Sequence, residues 1–152
     1  MKKIGNQDIY LEIDTSTYFN NMANVILVID KFKIGTLSSP TYIPSFIHSL
    51  ERLLIDEVYF CEKINMGLFC ELVKEGKLEN KNMFTLEETF DDFMKRCIRS
   101  KENFYFYFKL YEEHFFNYDN TQENMPIIKT VCINQFVDFL DSIKFYFNQK
   151  YE

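Results

Sequence analysis

The chain is poor in residues that bend or loosen a backbone, with 4 glycines and 3 prolines among 152 residues. Glycine-rich phosphate loops, collagen-type repeats and flexible linkers all need residues that tolerate unusual backbone angles, so the material for them is missing. Tryptophan is absent, and the 2 histidines are His48 and His114. Imidazole acid–base or metal chemistry would have to use one of these with distant partners. The 4 cysteines, Cys61, Cys70, Cys97 and Cys132, form no C-x-x-C pair that would preorganise zinc or a redox disulfide. Buried free thiols are expected instead. The signatures G-x-x-x-x-G-K-[ST], G-x-S-x-G, H-E-x-x-H and G-x-G-x-x-G do not occur. No run reaches the roughly 18 apolar residues that cross a bilayer, and no apolar stretch follows Lys2-Lys3. A cytoplasmic chain without membrane association is expected, in a compartment that keeps thiols reduced.

What is present describes an ordinary folded domain. Hydrophobic residues make up 47% and charged residues 26%, so neither disorder nor a fibrous repeat is needed to explain the composition. A chain of this length buries about 68–70% of its unfolded surface around one core, and residues 1–152 are read as a single domain. The formal charge of −6 opposes binding to nucleic acid, where each phosphate contact calls for Lys or Arg. That charge is unevenly placed. Residues 51–125 carry 16 acids against 10 bases, whereas the flanking segments are balanced.

Periodicity supplies the elements. Ile9, Leu11 and Ile13 alternate with Tyr10 and Glu12, the pattern of a half-buried strand. Val25–Ile29 and Phe32–Leu37 read as a hairpin around Asp30-Lys31. That turn lacks the glycine a tight type I′ connection prefers, so either Asp30 takes left-handed angles or the loop is wider. Ser38-Ser39-Pro40-Thr41 reads as a loop. Pro44 then opens a helix with the stripe Ile43, Phe46, Ile47, Leu50, Leu53, Leu54 and Val58. A second helix spans about 62–75 with Ile64, Leu68, Phe69, Leu72 and Val73 inward, and Gly76 ends it.

Residues 85–99 admit two readings. Thr85 and Glu88 form a capping box, Leu86, Phe90, Phe93, Met94 and Cys97 continue a helical stripe, and Lys95, Arg96 and Arg99 suit a helix C-terminus. A strand at 93–99 would instead pair, through Ser100–Asn103, with the strand Phe104–Tyr111. In that strand the phenylalanine face is core. The row Tyr105, Tyr107 and Tyr111 either faces a partner or lies beneath a helix. Residues 112–125 read as a loop, Ile127–Ile133 as a last strand, and Asn134 as the cap of a helix striped by Phe136, Val137, Leu140, Ile143 and Phe147. The expected fold is α+β, a mostly antiparallel sheet of five to six strands with amphipathic helices packed on one face.

Candidate chemistry is sparse. Glu87-Glu88 and Asp91-Asp92 could supply metal oxygens or acid–base carboxylates, but a solvated face near a helix N-terminus accounts for them as well. The aromatic strand could stack bases, yet only Lys109 accompanies it, and core packing is the simpler account. His114 follows Glu112-Glu113, so imidazole–carboxylate chemistry is the enzymatic alternative, and a structural or adaptor domain is another. No catalytic residue, metal site or cofactor is assigned.

Ile4-Gly5-Asn6, VILVIDKFKIGTL, SSPTYIPSFIHSLERLL and DDFMKRCIRSKENFYFYFKLYEEHFF, with the closing strand and helix, resemble the immunity protein 42 family of bacterial polymorphic-toxin systems. The chain departs from the family pattern in lacking tryptophan and in placing Asp30-Lys31 where a glycine turn is expected. The resemblance favours a short helix followed by a strand over 85–99. It implies a cytoplasmic antidote that binds its cognate toxin stoichiometrically and without chemistry, for example a nuclease with a basic surface. An acidic domain suits that task, because carboxylates can cover a surface built for phosphates. The candidate partner-binding residues are Glu87, Glu88, Asp91, Asp92, Glu112, Glu113 and Asp119.

Overall fold

Asp30 and Lys31 both take left-handed angles, with φ of 44° and 70°, and so close a tight hairpin without glycine. The strained backbone is tolerable because the strands it joins, Val25–Ile29 and Phe32–Thr36, pair in register and carry their apolar residues to one face. A computed structural model describes residues 1–151. Its first sheet is a four-stranded antiparallel meander of β1 (Lys2–Gly5), β2 (Ile9–Phe19), β3 (Met22–Ile29) and β4 (Phe32–Tyr42). Sequence patterning missed β1 and stopped β2 and β4 early. Ser38–Thr41, read as a loop, belongs to β4. Pro40 is tolerated there because β4 is an edge strand of its sheet.

A second sheet contains β5 (Phe93–Arg99), β6 (Asn103–Leu110) and β7 (Ile127–Cys132), again antiparallel and in chain order. The architecture is therefore α+β, but with two sheets in place of one. The helices are α1 (Ile43–Ile55), α2 (Met66–Lys74) and α3 (Ile133–Tyr151). Pro44 lies in the first turn of α1, as its missing N–H favours. The stripe of α1 ends sooner than its pattern suggests, and Val58 is exposed in a 3-10 turn at Glu57–Tyr59. Asn134 is not a cap, since α3 begins one residue earlier.

One main core joins both sheets. Ile9, Leu11, Leu27 and Ile29 of the first sheet meet Phe104, Phe106 and Phe108 of the second, with Phe46 and Leu50 from α1 and Phe136 and Phe139 from α3. The opposite face of the second sheet has its own cluster, in which Tyr105, Tyr107, Met94 and Ile98 pack with Phe69 of α2 and with Leu78. Tyr105 and Tyr107 thus lie beneath a helix, with Tyr105 5.7 Å from Phe69 between ring centroids, whereas Tyr111 falls past the end of β6 and is exposed. It also means that the helices do not share one face. α2 covers the outer side of the second sheet while α1 and α3 belong to the main core.

The strand reading of 93–99 is the one found. No helix starts at Thr85; a 3-10 turn, Glu88–Phe90, with Glu87 at its N-cap position, leads into β5. All of β5 is buried, including Lys95, Arg96 and Arg99, which the helical reading placed at an exposed helix end. Their charges are met by main-chain oxygens. Arg96 donates to the carbonyls of Leu78, Glu79 and Lys95, and Arg99 to those of Leu53 and Asp56 where α1 ends. A guanidinium at a helix C-terminus also meets the negative end of the helix dipole. All four thiols are free, but only Cys97 is buried, contrary to the expectation for the set. Among the described residues no helix is long and apolar enough to cross a membrane.

Candidate functional site

Four core contacts fix the acidic turn 87–92 in place. Phe90 plugs the main core, stacked on Phe46 with 5.3 Å between ring centroids. It fits because position 35 is glycine. A Cβ there would lie 2.6 Å from the Phe90 ring, and φ of +98° further disfavours a side chain. The Thr89 and Thr41 hydroxyls share a buried hydrogen bond of 2.5 Å that ties the turn to β4. Lys95 Nζ lies underneath and donates to the carbonyls of Phe90 and Phe93, 2.8 Å from each. Burial holds the Lys95 ammonium well below the usual lysine range, at about 8, although Asp91 partly opposes the shift.

With Phe90 inward, the acids of the turn face outward. Glu87, Glu88, Asp91 and Asp92 line one cleft of about 600 Å³ with Met22, Pro40, Thr41, Tyr42, Phe115 and Phe116, and among the described residues no Lys or Arg lines it. The four carboxylates do not act alike. Burial pushes the Glu87 carboxyl above its ordinary range; a hydrogen bond from Ser45 opposes this, and Glu88 and Asp91 add to it by repulsion. Asp92 is committed internally. Its carboxylate accepts from the Phe115 N–H at 2.9 Å, the Phe116 N–H at 3.0 Å and the Tyr118 hydroxyl at 2.7 Å. Burial alone would raise its pKa, but these hydrogen bonds outweigh it and hold the carboxyl below the usual aspartate range.

Loop 111–124 forms the far wall of the cleft. Its base is closed by the Tyr111 N–H donating to the Asp92 carbonyl and the Asn124 N–H donating to the Leu110 carbonyl. Such a loop with adjoining ends is an Ω-type element packed by its own side chains. His114 pins its middle, with Nδ1 2.6 Å from the Phe116 carbonyl and Nε2 3.0 Å from the Glu123 carboxylate. Both ring nitrogens face acceptors, so the imidazolium satisfies both at once, and its pKa is raised first by Glu123 and then by the Phe116 carbonyl. The ring is thus occupied in holding the loop. His48 is exposed on α1.

The structure brings together four of the seven candidate acids. Glu112 and Glu113 are exposed at the start of the loop, outside the lining of the cleft. Asp119 lines a separate depression beside Lys31 and Lys33. Among the described residues no group of three or more His, Cys, Asp or Glu side chains is placed to hold a metal ion. Patterning overlooked Phe115, which is 87% exposed, and Tyr42, which is 43% exposed on the other wall. A phenylalanine inside an acidic loop and off every apolar stripe was the available signal. Comparison with family models, with curated proteins and with solved structures finds no match to this chain.

Proposed function

We propose that this chain is an immunity-type inhibitor, which neutralises a cognate toxin by covering a basic working surface and makes or breaks no bond. The observation that carries the reading is the cleft itself, where four acids and two exposed aromatic rings adjoin and, among the described residues, no Lys or Arg joins the lining. Such a surface complements one built to hold phosphates, as in a nuclease. The resemblance of the quoted segments to the immunity protein 42 family adds the stoichiometric role and the bacterial, cytoplasmic setting. An interface of roughly 1,600 Å² would suffice for tight binding if a few anchors pack well. Complementary charge would chiefly speed association and select the partner.

The test is co-expression with the product of the adjacent upstream gene, scoring growth and co-purification together. Rescue from growth arrest with a one-to-one complex is the expected result. Rescue without a complex, or turnover of a small molecule by the purified chain that His114→Ala abolishes, would defeat the proposal.

A further inference from the structure

Exposed single apolar residues are common and usually carry no meaning. Phe115 differs in how little freedom its backbone keeps. Its own N–H and that of Phe116 are both held by the Asp92 carboxylate, the Phe116 carbonyl is held by His114, and the loop is closed at its base on Asp92 and Leu110. The Phe116 ring braces it edge-on, with 4.9 Å between centroids. A ring presented this way gives up little conformational entropy on docking, which is how rigid aromatic anchors gain affinity. Charge indicates what it docks into, because Glu87, Glu88 and Asp91 line the same cleft as the ring and, among the described residues, no Lys or Arg lines it.

We propose that Phe115 is the pre-positioned anchor of a protein-docking surface, an apolar knob that enters a pocket ringed by Lys and Arg on a basic protein. This deepens the inhibitor reading and rests on it for the partner's identity. The division of labour follows from the physics of interfaces. The buried anchor sets the dissociation rate, and the surrounding carboxylates set the association rate and its salt dependence.

Two experiments separate the possibilities. In the first, a synthetic peptide of alternating arginine and leucine is titrated into the full chain while amide resonances are followed. Shifts concentrated at residues 40–42, 87–92 and 114–116, with affinity lowered about tenfold by Phe115→Ala, are expected. Phe145→Ala, which truncates a 67% exposed ring on α3, should change nothing. Shifts spread over the whole surface, or equal affinity for Phe115→Ala and the native chain, would overturn the proposal. In the second, the complex with the adjacent gene's product should dissociate about tenfold faster with Phe115→Ala. Glu87→Lys with Asp91→Lys should instead slow association at low salt. A product that is bound and neutralised equally well by Phe115→Ala overturns the anchor and leaves the inhibitor reading intact. A product that is not bound, while the peptide still docks at Phe115, defeats the inhibitor reading and upholds the surface. Matching unfolding midpoints for Phe115→Ala and the native chain assign these losses to binding.

Discussion

The two sheets are built from similar antiparallel ladders but live in different surroundings. The first turns Ile9, Leu11 and Ile13 toward the core, and its other face carries the half-buried Tyr10 and the exposed Lys33, whose ammonium covers the buried Glu12 carboxylate at 3.2 Å. The second is a middle layer, with the phenylalanine face of β6 in the main core and the tyrosine face beneath α2. A sheet closed on both sides has no water to solvate its polar groups. Every charge it contains therefore needs an internal partner. β5 meets that need with carbonyl oxygens from the end of α1 and from turns, which makes its cations the clamps that hold α1, residues 78–79 and the acidic turn to the sheet.

The contrast is tested most strongly by one residue type at two sites. Tyr107→Ala, on the closed face of β6, should cost about 3–5 kcal/mol, the range for deleting a large buried aromatic. Tyr10→Ala, on the open face of β2, should cost about 1 kcal/mol. Chemical denaturation of both variants checks this, and equal losses would mean that α2 does not seal the second sheet.

A smaller effect separates the cations of the two sheets. Arg99→Met takes the guanidinium from the buried Leu53 carbonyl and leaves the part-buried Asp56 carbonyl to the Tyr59 N–H at 3.3 Å, and should cost about 2–4 kcal/mol. Lys3→Met on β1 removes only an ammonium lying over the Tyr10 ring at 5.1 Å, a contact worth about 0.5–1 kcal/mol. Unfolding free energies that rank the two in reverse would contradict the clamp role of β5.

The same contrast explains what patterning could read. Alternation identified Ile9–Ile13 because polarity there reports orientation, while the hairpin showed as the apolar run Val25–Ile29 broken at Asp30-Lys31. Patterning left 93–99 open between helix and strand because FMKRCIR is buried throughout, and its three cations suggest solvent when their partners are carbonyls. For the site, the acids of 87–92 were legible as a charge cluster. The commitment of Asp92 to a loop more than twenty residues away was not, since a carboxylate's hydrogen bonds leave no trace in composition. β1 was missed because Lys2-Lys3-Ile4-Gly5 has too few apolar residues to show a period.

Lys95 gives the contrast a pH dependence. Its folded pKa, about 8, lies below that of an exposed lysine, so the unfolded chain binds more protons between pH 8 and about 10.4. The penalty for burying the ammonium is complete below pH 8 and is relieved as pH rises through that window. The native chain should therefore gain stability relative to Lys95→Met on going from pH 8 to 10. The comparison must be differential, because Tyr59 and Tyr107, whose pKa values are raised by burial, work in the opposite direction. Parallel stability curves for the two proteins would show that the ammonium is not desolvated by the second sheet.

The smallest expected effect lies outside both sheets, in loop 111–124. The folded pKa of His114 is raised, so its contribution is present in full below the unfolded value of about 6.5 and is lost as pH climbs through the folded one. The groups facing the ring are the Glu123 carboxylate, the Phe116 carbonyl and the more distant Asp92, all of which favour the imidazolium. Deprotonation removes the donor from one of its two contacts while Asp92 keeps its hold on the Phe115 and Phe116 N–H groups. Loosening should therefore be local. Amide exchange corrected for its intrinsic pH dependence should show protection at Phe116 falling across this transition, with β6 unchanged. A profile without a transition, or one identical in His114→Gln, would mean that Asp92 alone positions Phe115.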